Sequence, residues 1–238
     1  FALICLARWG RQGLVTRRPG AHLLRAAFNL IAFLSYYYAI SRMPLVDALS
    51  IASAYPLILT LLSGLVLAEV PNARQIMAIL AGFVGVLFII QPTGDEVDWI
   101  GASAALFGCL SFAALAIHTR HLSKTESSEL MLLTGAGCIL VLSLLSAPFT
   151  WSQPSFDDLI LMLGLSVAAL FGQYALTNGF RYAPVYLVGA LEYTALVWAA
   201  IWGYLLFHDV PTVVVMIGAA IVVSSGLAVV LSERNKPG

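Results

Sequence analysis

Glu192 is a carboxylic acid inside the apolar run VYLVGALEYTALVWAAIWGYLLF, and no lysine or arginine occurs between Arg181 and Arg234. If that run crosses a membrane, Glu192 lies about 10 Å deep, seven residues from Val185 at 1.5 Å each. An ionisable group at that depth costs a few kcal/mol to insert, so its default reading is functional. It could hold a proton, pair with a cationic substrate group, or accept hydrogen bonds from one. A protonated carboxyl bonded to a neighbouring helix is the structural alternative. Tyr193 and Trp198 share the run and offer flat faces with a polar tip, suited to stacking on an aromatic ligand. Trp202 and Tyr204, nearer the end, fit an interfacial aromatic belt better.

Further polar groups punctuate other apolar runs. Tyr55 directly precedes Pro56, whose missing N–H kinks a helix and frees a carbonyl. Gln173 and Thr177 are one helical turn apart, as are Tyr174 and Asn178; such pairs either line a watery path or glue helices together. Asn29 precedes the triplet Tyr36-Tyr37-Tyr38, which cannot share one helical face. Tyr37, eight residues after Asn29, is the favoured cavity candidate, with a membrane-interface belt as the alternative. Asp47 suits the positive first turn of a helix. His118 reads as an interfacial histidine, and Glu69 and Asp209 as interfacial acids.

The elements that position these groups follow from composition. Of 238 residues, 61% are apolar and 10% charged, and mean hydropathy is +0.93. Soluble domains carry about 25% charged residues, so this chain lacks the charge to coat a water-facing surface. The formal net charge is zero, with no basic footprint for nucleic acid. Cys5, Cys109 and Cys138 show no metal or disulfide spacing and read as small packing residues. Crossing a bilayer takes about 20 apolar residues, and charges, Pro and Gly delimit eight such segments: 22–41, 45–67, 74–91, 99–118, 129–149, 158–180, 185–207 and 211–231. Continuous apolarity excludes alternating barrel strands. Residues 1–7 (FALICLA) read as the tail of a ninth helix, an N-terminal truncation.

Lysines and arginines orient the segments. Eleven of the twelve, from Arg8, Arg11, Arg17, Arg18 and Arg25 to Arg234 and Lys236, fall on one side, and Arg42 alone on the other with Asp95, Glu96 and Asp98. The basic side, with the C-terminus, is expected to be cytoplasmic. Two stretches then match at a constant offset of 140 residues: SRMPLVDALSIASAYPLILTLLSGLVLAEVP (41–71) and RYAPVYLVGALEYTALVWAAIWGYLLFHDVP (181–211). Pro44 pairs with Pro184, Glu69 with Asp209, and Pro71 with Pro211. Because Pro44 falls on the outer side and Pro184 on the inner, the repeats are inverted, a design recurrent in secondary transporters.

These runs, with GFVGVLFIIQP after the first and GAAIVVSSGL after the second, resemble the two repeats of EamA-type drug/metabolite transporters over nearly the whole chain. The resemblance implies ten helices in two inverted five-helix repeats, 1–92 (lacking helix 1 and most of helix 2) and 93–238, with both termini cytoplasmic. The second run is also similar to the branch that carries riboflavin or S-adenosylmethionine, which does not fix a substrate. The chain departs from the family at His208-Asp209, where Gly usually precedes the acid, and in the first helix, which normally lines the cavity.

The expectation is therefore an all-α polytopic bundle that moves a small metabolite across the inner membrane by alternating access, with proton coupling through Glu192 as one option. The expected substrate-binding residues are Glu192, Tyr193, Tyr55, Gln173, Asn178, Trp198 and Tyr37. Expected partners are a small-molecule substrate and the lipid bilayer, with a homodimer left open; no catalytic residue, cofactor or metal is expected. There is no GxxxxGK[ST] loop for ATP and no HExxH or GxSxG element. The rivals are a membrane-embedded enzyme, which should cluster His, Asp or Arg at one face, and a helical scaffold or receptor, which needs no inverted repeat.

Overall fold

The computed structural model describes residues 16, 18–91, 98–150, 153–208 and 210–234. The apolar stretch 1–7, Arg8, Arg11, Arg17, Asp95, Glu96, Asp209 and Lys236 lie outside the described residues. The described residues form helices and connections: α1 (Pro19–Arg42), α2 (Leu45–Ala52), α3 (Tyr55–Leu67), α4 (Ala73–Ile90), α5 (Trp99–Leu122), α6 (Ser128–Thr150), α7 (Phe156–Tyr182), α8 (Val185–Glu192), α9 (Thr194–Phe207) and α10 (Val213–Arg234). Among them, eight stretches are long and apolar enough to span a bilayer, with α2–α3 and α8–α9 each counted as one. Their outward side chains are as apolar as the core. Phe156, Leu161, Leu165 and Phe171 on α7 are each more than two-thirds exposed, a surface that hydrocarbon covers and water would not. The protein is a polytopic membrane helix bundle.

Local chemistry sets the boundaries. Asn72 Oδ1 accepts the Gln75 N–H at 2.9 Å and Gln75 Oε1 accepts the Asn72 N–H at 2.8 Å, a capping box that starts α4. Asp98 Oδ1 accepts the N–H groups of Ile100 and Gly101 at the start of α5, and Arg42 Nε stands 3.0 Å from its Oδ2. The Gly101 N–H first, then the Ile100 N–H and Arg42, hold the Asp98 carboxyl below the usual carboxylate range. Its stabilising contribution is thus present at neutral pH and lost only as pH falls through that lowered value.

Two segments expected as continuous helices, 45–67 and 185–207, are each broken midway. The first stops at Ala52 and restarts at Tyr55, because Pro56 has no N–H to continue the ladder. The second breaks at Tyr193 with no proline; there the Thr194 hydroxyl donates to the Leu191 carbonyl at 2.7 Å. Backbone geometry repeats at the 140-residue offset. Pro44 and Pro184 precede α2 and α8 with φ/ψ of −53/140 and −54/140. Ala68 and His208 end α3 and α9 in the left-handed region, at 56/22 and 59/24. That conformation favours glycine, which accounts for the glycine usual at the His208 position in the family the sequence resembles.

By compactness the chain divides into one unit of 1–30 with 118–182 and another of 31–117 with 183–238; the boundaries fall inside α1 and α5. In the first unit, α6 packs on α7. Arg25 donates from Nε to Thr119 Oγ1 at 3.1 Å and from Nη1 to the Met131 carbonyl at 2.8 Å. In the second unit, α4 packs along α10. Asn72 meets Ser232, Ala78 meets Ser225 and Gly85 meets Gly218, so the two helices run antiparallel. A Cβ on Gly85 would stand 2.9 Å from the Gly218 carbonyl oxygen, and one on Gly218 only 2.6 Å from that of Gly85. The Ser225 hydroxyl donates to the Ala78 carbonyl at 2.6 Å. Of the small residues on α4, Ala78, Gly82 and Gly85 face the seam and Ala81 faces out.

Backbone-to-backbone approach of this kind is intolerant of added volume, and overpacking costs about 1–3 kcal/mol. Gly218→Val is expected to lower the melting temperature of the detergent-solubilised protein by several degrees. Gly164→Ala on α7, where a Cβ meets nothing within 4 Å, is expected to leave it within a degree or two; equal melting of the two variants would contradict the seam's role.

Candidate functional site

In the second unit the two broken helices meet. α3 packs on α8 in antiparallel fashion: the Val185 N–H donates to Glu69 Oε2 at 2.9 Å, Leu59 lies against Gly189, and the Tyr55 hydroxyl stands 3.5 Å from Glu192 Oε1. Tyr55 is the first residue of α3 and Glu192 the last of α8, so each lies at a helix break near the middle of its span. Residues 137 apart in sequence are thereby brought to one place. Among the described residues Glu192 has no cationic partner; Arg42 and Arg74 are at helix ends.

Tyr55 also forms one wall of a cavity of about 220 Å³. Its ring lies 4.9 Å from Phe112, tilted by 54°. Phe33 and Tyr36 from α1 and Cys109 from α5 complete the wall, with Ala32 and Gly108 leaving the space open. The lining is almost wholly apolar and aromatic, with hydroxyls only from Tyr36 and Tyr55. Cys109 Sγ lies 3.5–3.6 Å from the carbonyl oxygens of Ala52 and Ile51, where α2 breaks.

The other sequence candidates fall elsewhere. The cavity takes Tyr36 rather than Tyr37. The buried face of α1 runs Ala32, Tyr36, Ala39, at helical spacing, and a rotation of one residue turns Tyr37 outward, 60% exposed and stacked on Phe33. Tyr193 turns away from Glu192 into the α4–α10 seam, against Ala78, Val86 and Val222. Trp198 is 58% exposed, on the same side of α9 as Trp202 one turn on. Gln173 and Asn178 belong to the first unit. Gln173 is exposed, while Asn178 accepts from the Ser128 hydroxyl at 2.8 Å and donates to the Tyr174 carbonyl, gluing α6 to α7. His118 Nε2 bonds the Ala21 carbonyl oxygen.

Two polar clusters escaped the sequence reading. In the first unit, His22 Nδ1 pairs with the Thr134 hydroxyl at 2.8 Å, and its Nε2 lies 3.9 Å from buried Glu126. In the second, Glu233 Oε2 accepts both from Gln75 Nε2 and from the Tyr186 hydroxyl, each at 2.6 Å. The Asn-x-x-Gln spacing is the local signal of a helix start, but nothing local marks Gln75 as reaching a residue 158 positions away.

The sequence profile of the EamA-like transporter family matches residues 1–91 and 99–231. The chain belongs to that family. Relatives of this EamA-like chain include the pseudopaline exporter CntI of Pseudomonas aeruginosa (strain UCBPP-PA14), 27% identical over 96% of this chain and 80% of its own length. The S-adenosylmethionine uptake transporter of Rickettsia prowazekii is 26% identical over 95% and 77%, and the riboflavin transporter of Vibrio cholerae 28% over 95% and 76%. A crystal structure superimposes with a TM-score of 0.84 at 19% identity, covering 99% of this chain and 84% of the other, a likeness of fold.

Among the described residues, the Tyr193 hydroxyl is buried without a hydrogen-bond partner. An unmatched buried hydroxyl costs about 1–3 kcal/mol. Tyr193→Phe is therefore expected to melt at the same temperature as the parent protein or higher; a fall of several degrees would show that the hydroxyl is bonded.

Proposed function

We propose that this EamA-like protein is a secondary transporter that carries a small, neutral or cationic metabolite across the inner membrane by alternating access. Its two repeats would be 1–92 and 93–238, with the C-terminus on the cytoplasmic side. The observation that carries this reading is the meeting of Tyr55 and Glu192, each at a mid-span break, one from each of two stretches related by the 140-residue repeat. Broken helices at the midplane supply polar groups where an unbroken helix has none to offer, and they flex where a site must open to either side.

Charge supports the substrate class. Glu192, with no cationic partner among the described residues, attracts a substrate ammonium or N–H donor and repels phosphate or carboxylate. The cavity beside Tyr55, walled by Phe33, Tyr36 and Phe112, suits a flat apolar moiety. In the absence of substrate the carboxyl is well placed to carry a proton, which offers a coupling route. The transporter names of the relatives agree with small-molecule transport and leave the substrate of this chain open.

The test is uptake of a metabolite panel by the purified protein in proteoliposomes, with and without an imposed pH gradient. Glu192→Gln is expected to cut flux at least tenfold and to flatten its pH profile. Unchanged flux with an unchanged profile would remove Glu192 from the mechanism.

A further inference from the structure

Within the second unit the repeat symmetry is nearly complete. α2 packs on α4 as α8 packs on α10, and α3 meets α4 as α9 meets α10. One pairing breaks it. α3 packs closely on α8, whereas the repeat-related pair, α9 and α2, has at most marginal contact. Two carboxylates hold the start of α8: Glu69, just past α3, ties it across the seam, and Glu233 on α10 ties it to α10 and α4. Glu69 accepts the Val185 N–H, where the positive end of the helix favours an anion. Glu233 accepts from the Tyr186 hydroxyl and from Gln75, with Tyr186 and Gln75 essentially fully buried. Charge-assisted bonds of this kind are stronger than neutral ones. The repeat mates of Tyr186 and Gln75 are Val46 and Val215, which have no hydrogen-bonding side chain. The Tyr186–Gln75 half of the fastening therefore has no counterpart at the start of α2, while the mate of Glu69 is Asp209, which lies outside the described residues.

We infer that Glu69 on Val185, with the Glu233–Tyr186–Gln75 cluster pinning the same end of α8 to α4 and α10, is a one-sided latch that keeps α8 against α3 and must release once in each transport cycle. This rests on the transport reading above. Opening that end of α8 separates Leu59 from Gly189 and carries Glu192 away from Tyr55, so the latch residues act as positioning residues for the site. By the distribution of lysine and arginine, this end faces the cytoplasm. The latch then biases the resting protein towards the state open on the opposite face. It shifts populations without touching substrate.

The experiment uses the protein in inside-out membrane vesicles, with its own cysteines replaced by alanine and a single reporter thiol at Leu59→Cys, a position fully buried in the closed seam. A charged, membrane-impermeant methanethiosulfonate is added and the modification rate measured. Tyr186→Phe is expected to raise that rate about tenfold, and Glu233→Gln, which keeps a neutral acceptor, to raise it less. A second reporter at Ala199→Cys, the repeat mate of Leu59, is expected to react no faster than before. An unchanged rate at position 59 overturns the latch. So does an equal rise at both positions accompanied by a lower melting temperature, since that is general loosening. Absence of any metabolite flux in proteoliposomes would sink the transport reading while leaving the labelling difference intact; flux with no labelling difference would sink the latch alone.

Discussion

The α4–α10 crossing is the constraint from which the rest follows. Two glycines, 85 and 218, let backbones approach so closely that a Cβ on either would collide with the carbonyl oxygen of the other. Adding 140 to the first partner and subtracting 140 from the second turns the pair 85–218 into the pair 225–78. That pair is also in contact, through the Ser225 hydroxyl and the Ala78 carbonyl. A contact that reproduces itself under exchange of the partners marks a local two-fold axis. Since the repeat-related helices run antiparallel, the halves of this unit are inverted copies packed back to back.

With that axis fixed, the broken spans α2–α3 and α8–α9 are the parts that the proposed transport cycle would move. Breaking a spanning helix leaves backbone groups unsatisfied in a medium with no water to satisfy them. At the first break the Cys109 thiol lies against the Ala52 carbonyl, which the missing Pro56 N–H leaves open, and at both breaks a hydroxyl adds a second bond to a carbonyl that already accepts a backbone N–H, Ser53 to Leu49 and Thr194 to Leu191. These breaks place Tyr55 and Glu192 at mid-span. They also give a mechanical reason why a closed α3–α8 seam coexists with a slack α9–α2 pair. Two inverted copies held at one crossing have no need to be alike elsewhere.

Much of this was legible in the sequence. The eight apolar runs, the 140-residue offset and Glu192 are read directly from residue type and spacing, since hydrocarbon filters polar groups so severely. The break at Ala52 followed from Pro56, but the break at Tyr193 has no proline and so left no mark. Tyr36 and Tyr37 are chemically alike, and only the rotation set by Ala32 and Ala39 decides which faces the cavity. Tyr193 read as a site residue because it is a flat aromatic with a polar tip deep in the run of Glu192; the turn between α8 and α9 puts its side chain in the α4–α10 seam instead. The Glu233–Tyr186–Gln75 cluster joins residues from three helices, all near the ends of their runs, where polar residues are ordinary. Such long-range pairings depend on how helices pack, which no local pattern encodes.

The most direct test of this account is a reversible cross-link across the α3–α8 seam. Cysteines introduced by Leu59→Cys and Gly189→Cys, in a background free of other thiols, bracket a close contact between the two helices. The account predicts that oxidation to the disulfide arrests saturable uptake of a transported metabolite in proteoliposomes, and that reduction restores it. Full cross-linking with undiminished uptake would contradict it, because the seam would then have no part in moving substrate.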